Sequence, residues 1–234
     1  MKFGMFYEIQ VPKPWYEDKE FDIYQQVLDQ AELADEVGFD SFWTVEHHFF
    51  SEFSHCSAPE VLYGAVSQRT KNIRIGHGVV LLPFPYNHPV RVAERVAVLD
   101  LLSDGRIDVG TGRSTTEIEL GGFGIPAEET RARWDEALHM LPQIWTNETF
   151  EWEGKYFKIP PREVVPKPRQ KPHPPLWMAT TSAEGHEMAG QKGLGLLSFT
   201  LLVEPPELAS RIARYRAAIK EAKPVGAFVN EQTA

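Results

Sequence analysis

Three ionisable residues, Glu46, His47 and His48, stand at the end of a run of aromatic and β-branched residues that begins at Phe39. Such a run is typical of a strand, and successive strand side chains point to opposite faces. Two adjacent histidines are therefore hard to explain as core packing, although either one alone could be a structural histidine. Imidazole exchanges protons near neutral pH. The pattern predicts an active-site loop at the end of this strand.

Two segments rich in small and hydroxyl side chains follow other predicted strands and suit a phosphate group. Gly110–Thr115 begins like a dinucleotide fingerprint, but its last residue is a threonine where the third glycine belongs, which argues against a nicotinamide site. Arg113 and Ser114 still offer a guanidinium and a hydroxyl. Thr180–Ser182 stands where a strand gives way to a helix, whose free N–H groups attract anions. A surface turn and a plain helix cap are the alternatives.

Other kinds of site have weaker support. Glu46, the two histidines after it, His55 and Cys56 could bind a metal, but no HxH or HExxH spacing is present. The chain has neither a Gly-x-Ser-x-Gly elbow nor a P-loop sequence. Aromatic residues near the predicted site would line either a core or an apolar pocket, among them Tyr7, Phe49 and Tyr86.

The composition limits the class of protein. The 234 residues are 42% hydrophobic and 24% charged, which is ordinary for a globular chain, and we expect a single domain. A net charge of -9 argues against a nucleic-acid or anionic-membrane binder. The single cysteine, Cys56, excludes an internal disulfide framework and suits the cytoplasm. The first residues show no signal peptide, and no apolar run is long enough to cross a bilayer.

The elements that must position these residues alternate between strand and helix. Six βα units and a partial seventh strand at Gly226–Val229 predict a parallel sheet, interrupted by a hairpin and a proline-rich insertion at about 148–175. The chemical motifs follow strands, which fits a (β/α) barrel or a doubly wound sheet, and we favour the barrel. The predicted strands are Lys2–Ile9, Phe39–Val45, Ile73–Leu82, Arg106–Gly110, Leu176–Ala179 and Leu194–Phe199.

With these motifs identified, the chain resembles the bacterial luciferase-like family of flavin-dependent monooxygenases. The matching segments span most of the chain in the family's order. They are Met1–Gly4, Gly38–Asp40, Glu46–Phe49, Val80–Pro83, His88–Arg91, Leu99–Asp100, Ser103–Arg106, Gly110–Arg113 and Gly193–Leu194.

The resemblance implies a (β/α)8 barrel that uses reduced FMN and O2 to oxygenate a small apolar substrate through a flavin C4a-(hydro)peroxide. It also implies a flavin reductase as partner, and we expect a homodimer. The family's strands seven and eight are missing beyond Val229, so we expect a shortened barrel or a longer natural chain. Thr181 and Gly112 replace a carboxylate and a cysteine of the luciferase itself, so light emission is not implied.

The resemblance also assigns residues. His47 matches the family's catalytic histidine, with His48 beside it. The flavin-phosphate contacts match Arg113, Thr181 and Ser182, and we add Ser114 to them. Gly78–Val79 matches a non-prolyl cis peptide that supports the flavin ring in relatives. The expected substrate pocket contains Tyr7, Phe49 and Tyr86.

Three alternative functions remain open from the sequence. Deazaflavin (F420)-dependent relatives share the fold and transfer hydride rather than oxygen. A flavin-binding protein without turnover would carry the same motifs. A metallohydrolase is the third alternative.

Overall fold

The computed structural model describes residues 2–199 and 203–234. Its main feature is a parallel sheet of six strands in the order β1-β2-β3-β4-β7-β8. A separate antiparallel hairpin, β5 and β6, lies within the predicted insertion. The strands are β1 (Gly4–Tyr7), β2 (Ser41–Thr44), β3 (Arg74–Leu81), β4 (Ile107–Gly112), β5 (Thr149–Glu153), β6 (Lys158–Glu163), β7 (Leu176–Thr180) and β8 (Gly195–Ser198).

Helices connect the parallel strands. Proline stands at the first turn of α2, α3 and α7, where its missing N–H is not needed. The first helix, α1, ends at Gly38, which takes a left-handed φ of 88°. The helices are α1 (Lys19–Val37), α2 (Pro59–Arg69), α3 (Pro89–Leu102), α4 (Glu117–Phe123), α5 (Thr130–Thr146), α6 (Ala183–Gln191) and α7 (Pro205–Ala218).

The two faces of the sheet are filled differently. Apolar strand residues such as Phe42 and Ile75 belong to a core that they share with buried residues of α1, α2, α3 and α5. On the inner face, the indole rings of Trp43 and Trp177 meet edge to face at 5.3 Å. A Cβ at Gly76 would lie 2.1 Å from the ring of Trp43, so this strand position must be glycine. The lack of a side chain at Gly76 thus makes room for the ring of Trp43 on the inner face.

The curl brings the two edges of the sheet toward each other. The rings of Phe6, on β1, and Phe199, just after β8, lie 6.3 Å apart. We therefore describe the fold as a curled parallel half-barrel of six strands, which confirms the α/β prediction and is consistent with a barrel. Among the described residues, no helix has the length and apolar character needed to cross a membrane.

The prediction of a seventh strand at Gly226–Val229 is wrong. These residues form a bend in which the ring of Phe228 stacks on His173 at 4.9 Å and the Ala227 N–H donates to the same imidazole. The chain pairs with β8 only later, through a parallel bridge between Leu196 and Thr233. Side-chain packing against the proline-rich segment therefore outweighs the strand propensity of these four residues.

The predicted cis bond between Gly78 and Val79 is also wrong. Among the described residues, every cis peptide bond precedes a proline, so this bond is trans. The strand does depart from regular pairing here, because its register with β4 shifts between His77 and Val80. The strand is therefore irregular at this position although its peptide bond is trans.

Candidate active site

A cavity of about 790 Å³ lies along the inner face of the curled sheet. This volume is within the range of ordinary small-molecule sites. Its wall includes the residues that follow the carboxyl ends of four strands, namely Glu8, His47, Arg113 and Thr181. Loops after strands therefore gather the chemically active side chains, as in enzymes built on parallel barrels.

His47 is held in the cavity wall by a buried carboxylate. Its Nδ1 lies 2.9 Å from Oε1 of Glu119, which the chain places on α4. The same carboxylate accepts hydrogen bonds from the His48 N–H at 3.0 Å and the Ser114 hydroxyl at 2.8 Å, and also from the hydroxyl of Thr116. Four donors converge on one side chain, so Glu119 joins the loops after β2 and β4.

These hydrogen bonds decide the charge of Glu119. Burial alone would raise its pKa, but the bonds from His47, the two hydroxyls and the backbone N–H outweigh burial and lower the pKa to about 2. Glu119 is therefore ionised at neutral pH. An ionised Glu119 accepts a hydrogen bond from the Nδ1–H of His47. This bond fixes the tautomer of the imidazole and leaves Nε2 for other partners.

The other nitrogen of His47 faces a second carboxylate. Its Nε2 lies 3.7 Å from Oε2 of Glu8, which has no hydrogen-bond partner although it is shielded from solvent. Burial alone would lower the pKa of His47, but its hydrogen bond to Glu119 and the charges of Glu119, Glu8 and Glu46 raise it. His47 can therefore hold or release a proton near neutral pH.

His48 has different surroundings and does not line the cavity. Its ring stacks on Tyr86 at 5.9 Å and meets Phe123 edge to face at 4.9 Å. Its Nε2 lies 3.2 Å from Glu46, whose carboxylate also accepts the Leu81 N–H at 2.7 Å and thereby joins β2 to β3. His48 thus belongs to a packed aromatic cluster rather than to the cavity wall.

A cationic group forms another part of the wall. Arg113 donates to the hydroxyl of Thr130 at 2.9 Å, which places its guanidinium beside the start of α5. Burial, followed by the charge of Arg131, lowers the pKa of Arg113. Both arginines line the cavity, so an anion there would relieve their mutual repulsion. Ser114 lines it too, with a left-handed φ of 53° and its hydroxyl committed to Glu119.

Thr181 and Ser182 line the cavity at the amino end of α6. The Ser182 hydroxyl accepts a hydrogen bond from the Gly185 N–H at 3.0 Å and so caps the helix. Ser182 is at the same time part of the cavity wall. Arg211 donates to the carbonyl of Thr181 and fixes this loop to α7. The helix N-terminus adds a partial positive charge to the same region.

The remaining predicted residues divide between the cavity and its surroundings. Gly78 and Val79 line the cavity, and a Cβ at Gly78 would lie 2.7 Å from the Thr44 carbonyl. Tyr7 does not line it, because its hydroxyl donates to Gln30 on α1, on the other side of the sheet. Phe49 and Tyr86 also lie outside the wall, in the aromatic cluster with Phe123.

The wall residues Glu8, Glu119 and Arg131 were not singled out from the sequence. Glu8 follows Phe6 by two positions, so the strand alternation that we used for other residues would have placed both on the inner face. Glu119 and Arg131 lie on helices, and Glu119 contacts a loop that is 72 positions away in sequence. No local sequence pattern pointed to either of these two residues.

The fold and the wall define an α/β protein of the parallel-barrel type whose cavity combines an imidazole–carboxylate pair with the guanidiniums of Arg113 and Arg131. The family model of luciferase-like monooxygenases matches residues 1–228 of this chain. The chain belongs to that family, which confirms the resemblance found in the sequence.

Individual relatives agree with this assignment. The oxygenase component of a flavin-dependent trigonelline monooxygenase from Acinetobacter baylyi is 26% identical over 223 residues, which cover 94% of this chain and 60% of that protein. An F420-dependent glucose-6-phosphate dehydrogenase from Amycolatopsis mediterranei is 30% identical over 178 residues, which cover 74% of this chain and 53% of that protein.

A solved structure is also similar. The crystal structure of the monooxygenase RslO1 from Streptomyces bottropensis has a TM-score of 0.85 and 32% identity, and the match covers 96% of this chain and 67% of that one. The chain spans between about half and three fifths of the length of the curated relatives that it matches.

Proposed function

We propose that this chain is the oxygenase of a flavin-dependent monooxygenase, which uses reduced FMN and O2 to oxygenate a small apolar organic substrate. The observation that carries the proposal is that His47, Arg113 and Ser182 line the same cavity. An acid–base group and anion-binding donors thus face one space. Membership of the family and the name of the trigonelline relative support the same chemistry.

The donor set fits the phosphate of FMN. Two guanidiniums, from Arg113 and Arg131, and the hydroxyls and N–H groups at Thr181 and Ser182 are the types of group that bind a phosphate. We assign the flavin ring to the wall that includes Gly78. When bound, reduced FMN would supply two electrons to O2, so that one oxygen atom enters the substrate and the other leaves as water.

The protein itself orients the ligands, excludes water and moves a proton. Because Glu119 holds Nδ1 of His47, Nε2 is the atom that can exchange a proton with a ligand in the cavity. Apolar side chains such as Phe6, Trp43 and Phe53 form much of the remaining wall and would shelter an apolar substrate from water.

The proposal includes a partner. The trigonelline relative is named as an oxygenase component, which implies a separate component that supplies reduced flavin. A flavin reductase is the partner that this division of labour requires. The homodimer and the cytoplasmic location expected from the sequence stay predictions.

The test begins with anaerobic binding titrations of reduced FMN, oxidised FMN and reduced F420. We expect reduced FMN to bind most tightly. A clear preference for F420 would instead favour hydride transfer, a reaction suggested by the name of the dehydrogenase relative. O2 and a panel of small apolar compounds are then added. Binding of FMN without any substrate-dependent oxidation would identify a flavin-binding protein and overturn the proposed activity.

A further inference from the structure

Glu8 is a largely buried carboxylate in the cavity wall, and one of its oxygens forms no hydrogen bond. It follows the last residue of β1, and its side chain is only 14% exposed. Oε2 is shielded from solvent and forms no hydrogen bond, yet it lies 3.7 Å from Nε2 of His47. A buried polar atom of this kind is unfavourable unless a proton or a charge nearby compensates it.

The hydrogen bond between Nδ1 of His47 and Glu119 limits where a proton near Glu8 can lie. Glu119 is ionised and accepts from Nδ1 of His47, so Nδ1 carries a hydrogen. In the neutral ring, Nε2 is then an acceptor, and a protonated Glu8 avoids placing a buried charge against its lone pair. In the charged ring, Nε2 carries the hydrogen and Glu8 is ionised. Both arrangements give the two groups one proton in total, carried by one or the other.

We propose that Glu8 is a positioning residue: its carboxyl and Nε2 of His47 carry one proton in total, on one group or the other, and Glu8 thereby sets the protonation of the imidazole. The inference deepens the proposed function and rests on it for its catalytic meaning. The proton stays at Nε2 or at Oε2 of Glu8 until a ligand takes it, and a proton taken from a ligand can return to the same place.

The charges around the pair support this assignment. The titratable groups that face it are Glu119, on α4, and Glu46, at the end of β2. Burial raises the pKa of Glu8, and the charge of Glu119 adds to that effect, while the charge of His47 opposes it. The pKa of His47 is raised as well. Two ionisable groups 3.7 Å apart interact strongly enough to titrate as a coupled pair.

The decisive experiment is a pH titration of the histidine side chains by ¹⁵N NMR, on the flavin-free protein. In the wild type we expect Nδ1 of His47 to keep its hydrogen while Nε2 titrates. Glu8→Gln removes a neighbouring negative charge, so the pKa of His47 should fall by about 1–3 units. Glu8→Asp keeps the charge and should restore a large part of the shift.

The matched control is Glu20→Gln. Glu20 lies 2.7 Å from Nδ1 of His55, so it forms another Glu–His pair, but both residues lie outside the cavity wall. This variant breaks a Glu–His pair outside the cavity and should leave the titration of His47 unchanged. An unchanged His47 pKa in Glu8→Gln, with the control behaving as expected, would overturn the shared proton.

A second measurement separates this inference from the proposed function. The pH profile of product formation should shift in Glu8→Gln in the same direction as the His47 pKa. A shifted NMR titration in a protein that oxygenates nothing would sink the proposed function and leave the shared proton in place. Normal oxygenation with an unshifted titration would do the reverse.

Discussion

The loop after β2 has a cavity side, which faces the cavity, and a packed side, which lies against aromatic rings. A histidine lies on each side, in different surroundings. On the cavity side, His47 lies between the carboxylates of Glu119 and Glu8. On the packed side, the adjacent His48 lies against Tyr86 and Phe123 and reaches one carboxylate, Glu46. The two histidines are consecutive in the sequence. In the fold, the imidazole of His47 lies between two carboxylates, and that of His48 packs against aromatic rings.

Glu119 links the two sides. It accepts from the ring of His47 and from the backbone N–H of His48, so a single carboxylate fixes both the imidazole of His47 and the backbone that follows it. The comparison teaches that residue type alone does not make a histidine catalytic. Its surroundings do, through a neighbouring cavity and through partners that bind one nitrogen and leave the other for a ligand.

The largest effect should come from His47→Ala. Removing a positioned acid–base group typically lowers the rate by a factor of about 10²–10⁴. Flavin affinity should stay within a few fold, because the cationic wall residues are unchanged. We expect product formation to fall by that factor while reduced flavin is still consumed, with hydrogen peroxide released instead of product.

The measurements are product yield, flavin oxidation and peroxide release under identical conditions. The corresponding change on the packed side, His48→Ala, is the control. If His47→Ala leaves the product yield unchanged and His48→Ala lowers it, the two roles are reversed. If neither variant differs from the wild type, both histidines are structural.

A smaller effect, on stability, should come from Glu119→Gln. The pKa of Glu119 lies at about 2, below its ordinary value of 4.5, so its charge stabilises the fold at neutral pH. That contribution is complete above about pH 4.5, is on the order of 3 kcal/mol and is lost as the pH falls toward about 2. The wild type should therefore lose more unfolding free energy in acid than the variant does.

Urea unfolding of both proteins at several pH values between neutrality and acid measures this difference. The stability gap should be widest above about pH 4.5 and should narrow in acid. A gap that stays constant with pH would show that Glu119 is not a strongly acidic carboxylate. His47 contributes with the opposite sign, because its raised pKa adds stability at low pH that is lost as the pH rises through that value.

Arg113→Ala tests a cationic residue of the cavity wall. A hydrogen bond to a charged group contributes about 1.5–3 kcal/mol, so FMN binding should weaken by that amount. Riboflavin has no phosphate and should bind the wild type and the variant about equally. An affinity for riboflavin that falls as far as the affinity for FMN would place Arg113 away from the phosphate.

Much of the fold follows from local patterns in the sequence. The alternation of strand and helix patterns predicted the six parallel strands to within a few residues. Helix α4 was missed because Gly121 and Gly122 give this segment a low helix propensity. Its formation is coupled to contacts with the β2 loop, which are distant in sequence. The error at Gly226–Val229 has the same origin in long-range packing.

The site was only partly predictable. Strand alternation shows that His47 and His48 face opposite ways, but the resemblance to a family was needed to choose between them. The same alternation could have replaced Tyr7 by its inward-facing neighbours Phe6 and Glu8. The partnership of His47 with Glu119 joins residues 72 positions apart, and no local pattern predicts it.

The smallest effect on catalysis should come from His48→Ala. Its ring lies outside the cavity wall, so we expect product formation and flavin affinity to stay within a few fold of the wild type. Stability should fall by about 1–2 kcal/mol, because the ring packs on Tyr86 and Phe123 and bonds to Glu46. The backbone N–H of His48, which donates a hydrogen bond to Glu119, is kept in the substitution, so the position of Glu119 should not change.

His48→Phe keeps the aromatic packing and loses the bond to Glu46, and it should recover part of the lost stability. A large loss of product in both variants, with the fold intact, would show that the packed side takes part in the chemistry and would remove the contrast between the two histidines.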